Sequence, residues 1–156
     1  MPHGSMTAVI QAPSTKVFLL FHDYDKRLEW DTLLRAAYLT DGWKTAQLHA
    51  TSVCVGRVGL GGFAVKTRYI SFKPPFVAAI QLVNHPPFFE TFAATIRHRD
   101  LENGKSEIEY LYSFRARPKW LRWLLHPLMS LIFRYETRKR LEALAAFFAP
   151  VSHTYA

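Results

Sequence analysis

The 156-residue sequence predicts an α+β fold, in which a seven-stranded antiparallel sheet wraps around one long C-terminal helix, with two short helices after the first strand. Two observations lead to this prediction. The middle of the chain consists of short apolar or alternating segments that end at Gly, Pro, Asn or Asp, as β-strands do. The run from Pro118 to Pro150 repeats its apolar residues with helical spacing. The length corresponds to a single domain, which we place at residues 6–150.

The first strand and the two short helices form the N-terminal part of the domain. Thr7 to Ala12 is apolar and ends at Pro13, which cannot donate a ladder hydrogen bond. One helix is predicted from Ser14 through Asp23, and a second from Lys26 to Leu34. We interpret residues 1–5 as a tag remnant or a disordered start, and residues 151–156 as a tail.

Six further strands are predicted after the short helices. They cover Arg35 to Thr40, Ser52 to Arg57, Phe63 to Phe72, Val77 to Val83, Phe89 to Arg99 and Ser106 to Arg115. Asp41-Gly42 and Glu102-Asn103-Gly104 are hairpin signals, and turns this short make sequential strands antiparallel neighbours. The glycine-rich segment 56–62 superficially suggests a phosphate loop. We interpret it as a hairpin, because neither a helix nor a Lys-Ser/Thr pair follows it.

The C-terminal helix has one predicted core face. At 100° per residue, this face contains His126, Ser130, Phe133, Thr137, Leu141, Leu144 and Phe148. Glu136, Lys139 and Glu142 fall on the opposite side. A helix cannot bury such a face alone, so we expect it to lie across the concave face of the sheet. A long helix on a curved sheet leaves space between the two, and this space is the predicted functional site.

The composition limits the classes of partner and compartment. A net charge of +8 favours anionic partners. The single cysteine, Cys54, excludes an intramolecular disulfide, and we expect it to be a buried, small apolar residue of a strand. The sequence shows no signal peptide and no apolar run that could span a bilayer, so we expect a soluble, cytoplasmic protein. Its 15% aromatic content exceeds the need of a minimal core and favours a lined cavity.

Several motifs occur in an order that is typical of one superfamily. They are Ile10-Gln11-Ala12-Pro13, Val17-Phe18, Trp30, Val55-Gly56, Tyr110-Leu111-Tyr112-Ser113-Phe114 and Leu141-Glu142-Ala143-Leu144. From Thr7 to Phe148 the chain resembles the START-like helix-grip superfamily (SRPBCC), specifically its bacterial polyketide cyclase/dehydrase and lipid-transport group. The resemblance implies a seven-stranded sheet that grips the last helix around an apolar tunnel for a hydrophobic small molecule. It also implies either catalysis, as in a few cyclases, or the binding of lipids, sterols, quinones or hormones.

The inward positions of the strands and of the helix are the predicted ligand-binding residues. They are Phe63, Val65, Tyr69, Ala79, Gln81, Phe92, Ala94, Ile96, Tyr110, Tyr112 and Phe114 on the strands, and Met129, Phe133, Thr137 and Leu141 on the helix. The alternative is that these side chains fill a solid core. Their many polar tips favour a cavity, because a buried polar group without a partner costs about 1–3 kcal/mol.

Catalytic residues are less evident in the sequence. His98 shares the inward parity of its strand and could act as a general base, although a hydrogen-bonded structural role is the interpretation that we favour. In an enzyme, Tyr110 or Tyr112 could orient a polyketone. Glu90 has the same parity as His98 but lies at a strand end, where we expect it to be solvated. The histidines form no metal-binding motif, so we expect neither a metal nor another cofactor.

Basic residues are concentrated around the C-terminal helix. They are Arg115, Arg117, Lys119, Arg122, Arg134, Arg138, Lys139 and Arg140. The segment containing Lys119, Trp120, Arg122, Trp123 and Leu124 has a composition typical of contact with an anionic membrane, where each basic group contributes about 1 kcal/mol. The alternative is that the tryptophans cover the end of the cavity and the charges only solvate it.

Three hypotheses of function follow from these features. The leading one is the non-enzymatic binding or transfer of a lipid, sterol-like molecule, quinone or polyketide, with a peripheral membrane contact. The alternative is a polyketide cyclase/dehydratase-type enzyme that uses the same cavity. Nucleic-acid binding rests on charge alone and has no supporting motif, so we expect no nucleic-acid partner. We expect a monomer or, through exposed aromatic residues, a homodimer.

Overall fold

A computed structural model describes residues 2–57 and 63–150 of the chain. Its elements are β1 (His3–Ile10), α1 (Ser14–Phe21), α2 (Arg27–Trp30), β2 (Leu34–Thr40), β3 (Thr51–Gly56), β4 (Ala64–Lys73), β5 (Val77–Leu82), β6 (Phe89–Asp100), β7 (Ser106–Ala116) and α3 (Arg122–Phe147). Short 3-10 turns cover Glu102–Gly104 and Lys119–Leu121. Residues 58–62 of the predicted glycine-rich hairpin and the predicted tail at 151–156 lie outside the described residues.

The strands form one antiparallel sheet in the order β1-β7-β6-β5-β4-β3-β2. This arrangement and the long C-terminal helix confirm the predicted α+β architecture. Strands β2 to β7 are sequential neighbours, as the short turns predicted. Strand β1 instead pairs with β7, because α1 and α2 separate it from β2 and carry the chain to the other edge of the sheet.

Strand β1 begins four residues earlier than predicted, at His3 instead of Thr7. The prediction of a disordered start is therefore wrong for residues 3–5, which pair with β7 from the contact of His3 with Ser113 onward. Gly4 lies so close under the ring of Tyr112 that a Cβ atom there would approach the tyrosine hydroxyl oxygen to 2.5 Å. Residues 3–5 are held in the strand by backbone hydrogen bonds and by this close approach, not by alternating apolar side chains. The sequence pattern therefore did not show this part of the strand.

Helix α3 packs against β1 and β7, at one side of the sheet. Its buried residues are Leu125, Met129, Thr137, Leu141 and Leu144. Because the helix rests mainly on these two strands, space remains between it and the wall formed by β3 to β6. Within the described residues, none of the helices has the length and apolar character needed to cross a membrane.

An aromatic cluster joins the middle of α3 to the sheet. The ring of Phe133 stacks on Phe92 of β6, with ring centroids 5.3 Å apart and planes inclined by 14°. Its centroid lies 5.3 Å from that of Tyr112 and 4.9 Å from that of Phe114 on β7. Side chains from one helix and two strands thus meet at Phe133, which fixes the distance between α3 and the sheet.

Candidate functional site

A cavity of about 540 Å³ lies between α3 and the wall formed by β3 to β6. Residues of α1, α2 and their connecting segment close one end, and the loop between β5 and β6 borders the other. Apolar side chains such as Val65, Ile80, Phe92 and Met129 form most of the lining. This volume lies within the range of pockets that hold small organic molecules.

The apolar end of the cavity opens to the surface. Phe88, Leu128 and Ile132 line the cavity and are also 47%, 50% and 44% exposed, respectively. We call these three residues the mouth. A molecule that enters here meets apolar side chains first.

The opposite, buried end contains an ionic cluster. Asp31 Oδ2 accepts hydrogen bonds from Nε of Arg27 at 2.9 Å and from Nε of Arg140 at 2.8 Å. Asp31 Oδ1 accepts from the backbone N–H of Leu33 at 3.2 Å, while Nη1 of Arg27 donates to the carbonyl oxygen of Phe21 at 3.0 Å. Both arginines line the cavity. The cluster therefore joins α2 to α3 and also presents positive charge to the interior.

The charges of this cluster depend on burial and on ion pairing. Burial alone would raise the pKa of Asp31, but the guanidinium groups of Arg140 and Arg27 outweigh this effect and lower the pKa to about 2. Asp31 is therefore ionised at neutral pH. Glu136, one helical turn before Arg140, also lines the cavity, and burial raises its pKa despite the opposing attraction of Arg140.

A chain of hydrogen-bonding side chains runs from the polar end along the sheet wall. Nδ1 of His22 lies 2.7 Å from the hydroxyl oxygen of Tyr69, which lies 3.3 Å from that of Tyr24. The Tyr24 hydroxyl donates to Oγ of Ser52 at 3.0 Å, and that oxygen lies 3.2 Å from Oγ1 of Thr67. Burial lowers the pKa of His22 well below its usual value and raises that of Tyr69 well above it, so both side chains are neutral at pH 7.

Many of the predicted ligand-binding residues line this cavity. They are Phe63, Val65, Tyr69, Phe92, Ile96, Tyr110, Met129 and Phe133. A further group is buried in the core and does not line the cavity, as the solid-core alternative anticipated. Its members are Ala94, Tyr112, Phe114, Thr137 and Leu141.

The predicted orientation of β5 is wrong. Ala78 is fully buried and Ile80 lines the cavity, whereas Gln81 is exposed and Ala79 does not line the cavity. The strand is nearly all apolar, so its sequence contains no alternation that could distinguish one face from the other. The register with β4, which places Tyr69 opposite Ile80, determines the orientation.

The prediction for Glu136 on α3 is also wrong. Glu136 was placed on the side opposite the core face, but it lines the cavity. Arg140 was counted among the basic residues around the helix without a partner, whereas its side chain is only 13% exposed and pairs with Asp31. The sequence pattern did not show these roles, because an amphipathic helix is judged by its apolar residues and the partner of Arg140 lies on a distant element.

The sequence analysis missed the other polar side chains at the buried end. His22 and Tyr24 belong to the segment between α1 and α2, and Arg27 begins α2; all three stand near other polar residues in the sequence. The spacing of Arg27 and Asp31 by one helical turn was the available signal for a pair. Nothing in that spacing distinguishes a buried pair from one on the surface.

The remaining candidates have mixed outcomes. His98 is buried as its parity predicted, but it does not line the cavity, and neither ring nitrogen has a hydrogen-bond partner among the described residues. The prediction that His98 has a hydrogen-bonded structural role is therefore wrong.

Cys54 lies on β3 as predicted and faces the cavity. Glu90 is partly exposed and pairs with Arg122 at 2.6 Å. Within the described ranges, no three His, Cys, Asp or Glu side chains are grouped to hold a metal ion.

The outer face of α3 carries an apolar stripe that adjoins the mouth. Trp120 and Trp123 are each 75% exposed at the start of the helix, and Leu124, Leu128 and Leu131 continue the stripe along it. Exposed basic side chains precede and follow this stripe along the chain; they are Lys119, Arg134, Arg138 and Lys139. We call this surface the α3 stripe.

Solved structures with similar folds cover nearly the whole chain. XoxI from Bacillus cereus is 16% identical over 98% of this chain and 99% of its own, with a TM-score of 0.78. The Zhui aromatase/cyclase from Streptomyces sp. R1128 is 13% identical over 94% and 92% of the two chains, also with a TM-score of 0.78. A START superfamily protein from Mycobacterium smegmatis is 8% identical over 94% and 96%, with a TM-score of 0.76.

Sequence comparison identifies the family. A search of curated protein sequences found no significant match. The family profile described as polyketide cyclase/dehydrase and lipid transport matches residues 1–148. With this match over almost the entire length, the chain belongs to the polyketide cyclase/dehydrase and lipid transport family.

Proposed function

We propose that this protein binds and transfers a hydrophobic small molecule, of the lipid, sterol-like, quinone or polyketide class, in the cavity between α3 and the sheet. The observation that carries the proposal is the 540 Å³ cavity with an apolar lining and an exposed mouth. Burying apolar ligand surface there would contribute about 25 cal/mol per Å² before the costs of association. The family and the aromatase/cyclase of similar fold are consistent with a ligand of this kind.

Ligand uptake tests this proposal directly. Native mass spectrometry of protein purified from cells should show co-purifying apolar molecules, and a neutral lipophilic dye such as Nile red should bind. Val65→Trp should reduce dye binding at least tenfold, because Val65 lines the cavity. Ala64→Trp is the matched control, since Ala64 is exposed on the opposite face of the same strand. No bound mass and no dye uptake, or equal binding by both variants, would contradict the proposal.

We also propose that the α3 stripe contacts an anionic membrane during transfer. Its exposed tryptophans suit the interfacial region of a bilayer, and the flanking cations suit anionic lipid. Contact at this surface would bring the mouth to the membrane, because Leu128 belongs to both. A ligand could then move between lipid and cavity without crossing water.

Vesicle flotation tests the membrane contact. The protein should bind phosphatidylglycerol vesicles, bind phosphatidylcholine vesicles more weakly, and lose binding at high salt. Trp120→Ser with Trp123→Ser should abolish most of the binding. Tyr38→Ser is the control, since Tyr38 is a half-exposed aromatic residue on β2, at the opposite edge of the sheet from β1. Equal loss in the control, or no vesicle binding by the unmodified protein, would exclude the stripe as the contact.

The chain of His22, Tyr69 and Tyr24 favours a second function, that of a cyclase/dehydratase-type enzyme. Because Tyr69 stays protonated, its hydroxyl could donate a hydrogen bond to a ketone oxygen of a polyketone and hold that group in position for ring closure. A synthetic polyketone incubated with the protein should then give a cyclised product that has lost water, detectable by mass spectrometry. Tyr69→Phe should abolish this product and His98→Gln should not. If no cyclised product forms with the unmodified protein, the enzymatic function is excluded for that substrate.

A further inference from the structure

The buried end of the cavity has more hydrogen-bond donors than acceptors. Arg27 and Arg140 donate to the same oxygen of Asp31, and the other oxygen of that carboxylate is engaged by a backbone N–H. Among the described residues, the two terminal nitrogens of Arg140 have no hydrogen-bond partner. A guanidinium group carries its N–H donors in a planar fork, so those of Arg140 are available to an acceptor in the cavity.

The ion pairing at this end is unequal in the same sense. Arg27 and Arg140 are two cations, whereas Asp31 is the one carboxylate that pairs with them in the described part of the chain. Glu136 lies one turn away from Arg140 on α3 and lines the cavity, yet none of the described cations lies within ion-pair distance of it. An anionic ligand group that reaches Arg140 would therefore form an ion pair with its guanidinium group. It would compete with the nearby carboxyl group of Glu136 for this interaction.

We propose that the cavity selects an amphipathic carboxylic acid, whose carboxylate lies beside Arg140 and whose apolar chain points toward the mouth. This inference rests on the proposed function, since it assumes that the cavity holds a small molecule. The helix rises roughly 18 Å from Leu128 and roughly 12 Å from Ile132 to Arg140, so the mouth and the polar end are well separated. A neutral ligand of the same length would fill the apolar end equally well but would leave the donors of Arg140 unused.

The experiment compares two ligands that differ only at the head. Dodecanoate and 1-dodecanol are titrated, below their aggregation limits, against protein loaded with Nile red. We expect the unmodified protein to bind the acid at least tenfold more tightly than the alcohol. Arg140→Gln should remove most of this preference, and the buried Asp31 keeps Arg27 as its partner. Arg138→Gln is the control, because it removes the same charge from an exposed position of the same helix.

A second pair of variants tests the competition with Glu136. Glu136→Gln should increase the preference for the acid several-fold, because it removes the carboxyl group nearest to the ligand head along α3. Glu142→Gln changes the net charge equally, but Glu142 lies on the exposed side of α3. The preference of this variant for the acid over the alcohol should therefore equal that of the unmodified protein. If Arg140→Gln does not fold, which circular dichroism would show, this second pair decides the question.

The outcomes separate this inference from the proposed function. If the acid and the alcohol bind equally well, or if Arg140→Gln and Arg138→Gln keep the same preference, the acid-binding role of Arg140 is wrong while the carrier function stands. If neither ligand displaces the dye, the cavity does not take such molecules and the proposed function is wrong as well. An equal or lower preference in Glu136→Gln than in Glu142→Gln would also contradict the inference.

Discussion

His98 is a buried imidazole whose environment disfavours a charge. Its ring centroid lies 5.3 Å from that of Phe18, and its backbone N–H donates to the carbonyl oxygen of Phe76 at 2.7 Å. Burial lowers its pKa from 6.5 to about 4. Between these two pH values the unfolded chain binds a proton that the folded protein does not, so stability rises with pH across this window. The stability is complete above pH 6.5 and is lost progressively as the pH falls to about 4.

Replacing His98 with Leu should therefore flatten the acid side of the stability curve. The lowered pKa corresponds to a loss of about 3 kcal/mol for the unmodified protein over this window. Chemical unfolding at a series of pH values measures the effect. His85→Gln is the control, because His85 is exposed in the turn after β5. A pH profile that is the same for His98→Leu and the unmodified protein would show that His98 is not the group responsible.

At the scale of elements, Asp31 attaches the short helix α2 to the long helix α3. Its side chain is fully buried and pairs with Arg27 of α2 and Arg140 of α3. A one-turn helix such as α2 has little stability of its own, so this attachment holds it in place. The same attachment closes the polar end of the cavity, which connects stability with ligand binding.

Asp31→Asn should destabilise the protein by about 3–5 kcal/mol, because it leaves two buried guanidinium groups without a counter-charge. Urea unfolding measures this loss. Asp25→Asn, at an exposed position just before α2, should change stability by less than about 0.5 kcal/mol. Since the pKa of Asp31 is lowered from 3.8 to about 2, its stabilising effect is present above pH 3.8 and is lost as the pH falls through 2. Equal stability of both variants would contradict the attachment.

At the scale of the whole molecule, the cavity makes stability depend on ligand. A ligand that binds only the folded state stabilises it by about 2.7 kcal/mol when its free concentration is a hundred times Kd. Thermal unfolding with and without a bound ligand should show a rise in Tm that grows with ligand concentration. Val65→Trp should abolish this rise and Ala64→Trp should retain it. A Tm that is independent of ligand at saturating dye occupancy would contradict binding to the folded state.

The helix-grip architecture also explains which parts of the site could be predicted. Strand β4 alternates apolar and cationic residues, so the inward positions of Val65 and Tyr69 follow directly from its sequence. Strand β5 does not alternate, and its inward residue Ile80 is determined only by pairing with β4. The prediction succeeded where one strand face was polar and failed where both were apolar.

The sequence alone determined the class of the fold, because strand alternation, turn residues and helical periodicity are local signals. Only the tertiary structure decided which polar groups enter the cavity. Arg140 and Asp31 are 109 residues apart in the chain and are brought together by the packing of α3 beside α2. A long charged side chain has the same sequence pattern whether it extends into water or bends toward a buried partner. For this reason, the ionic end of the site appears only when the elements are assembled.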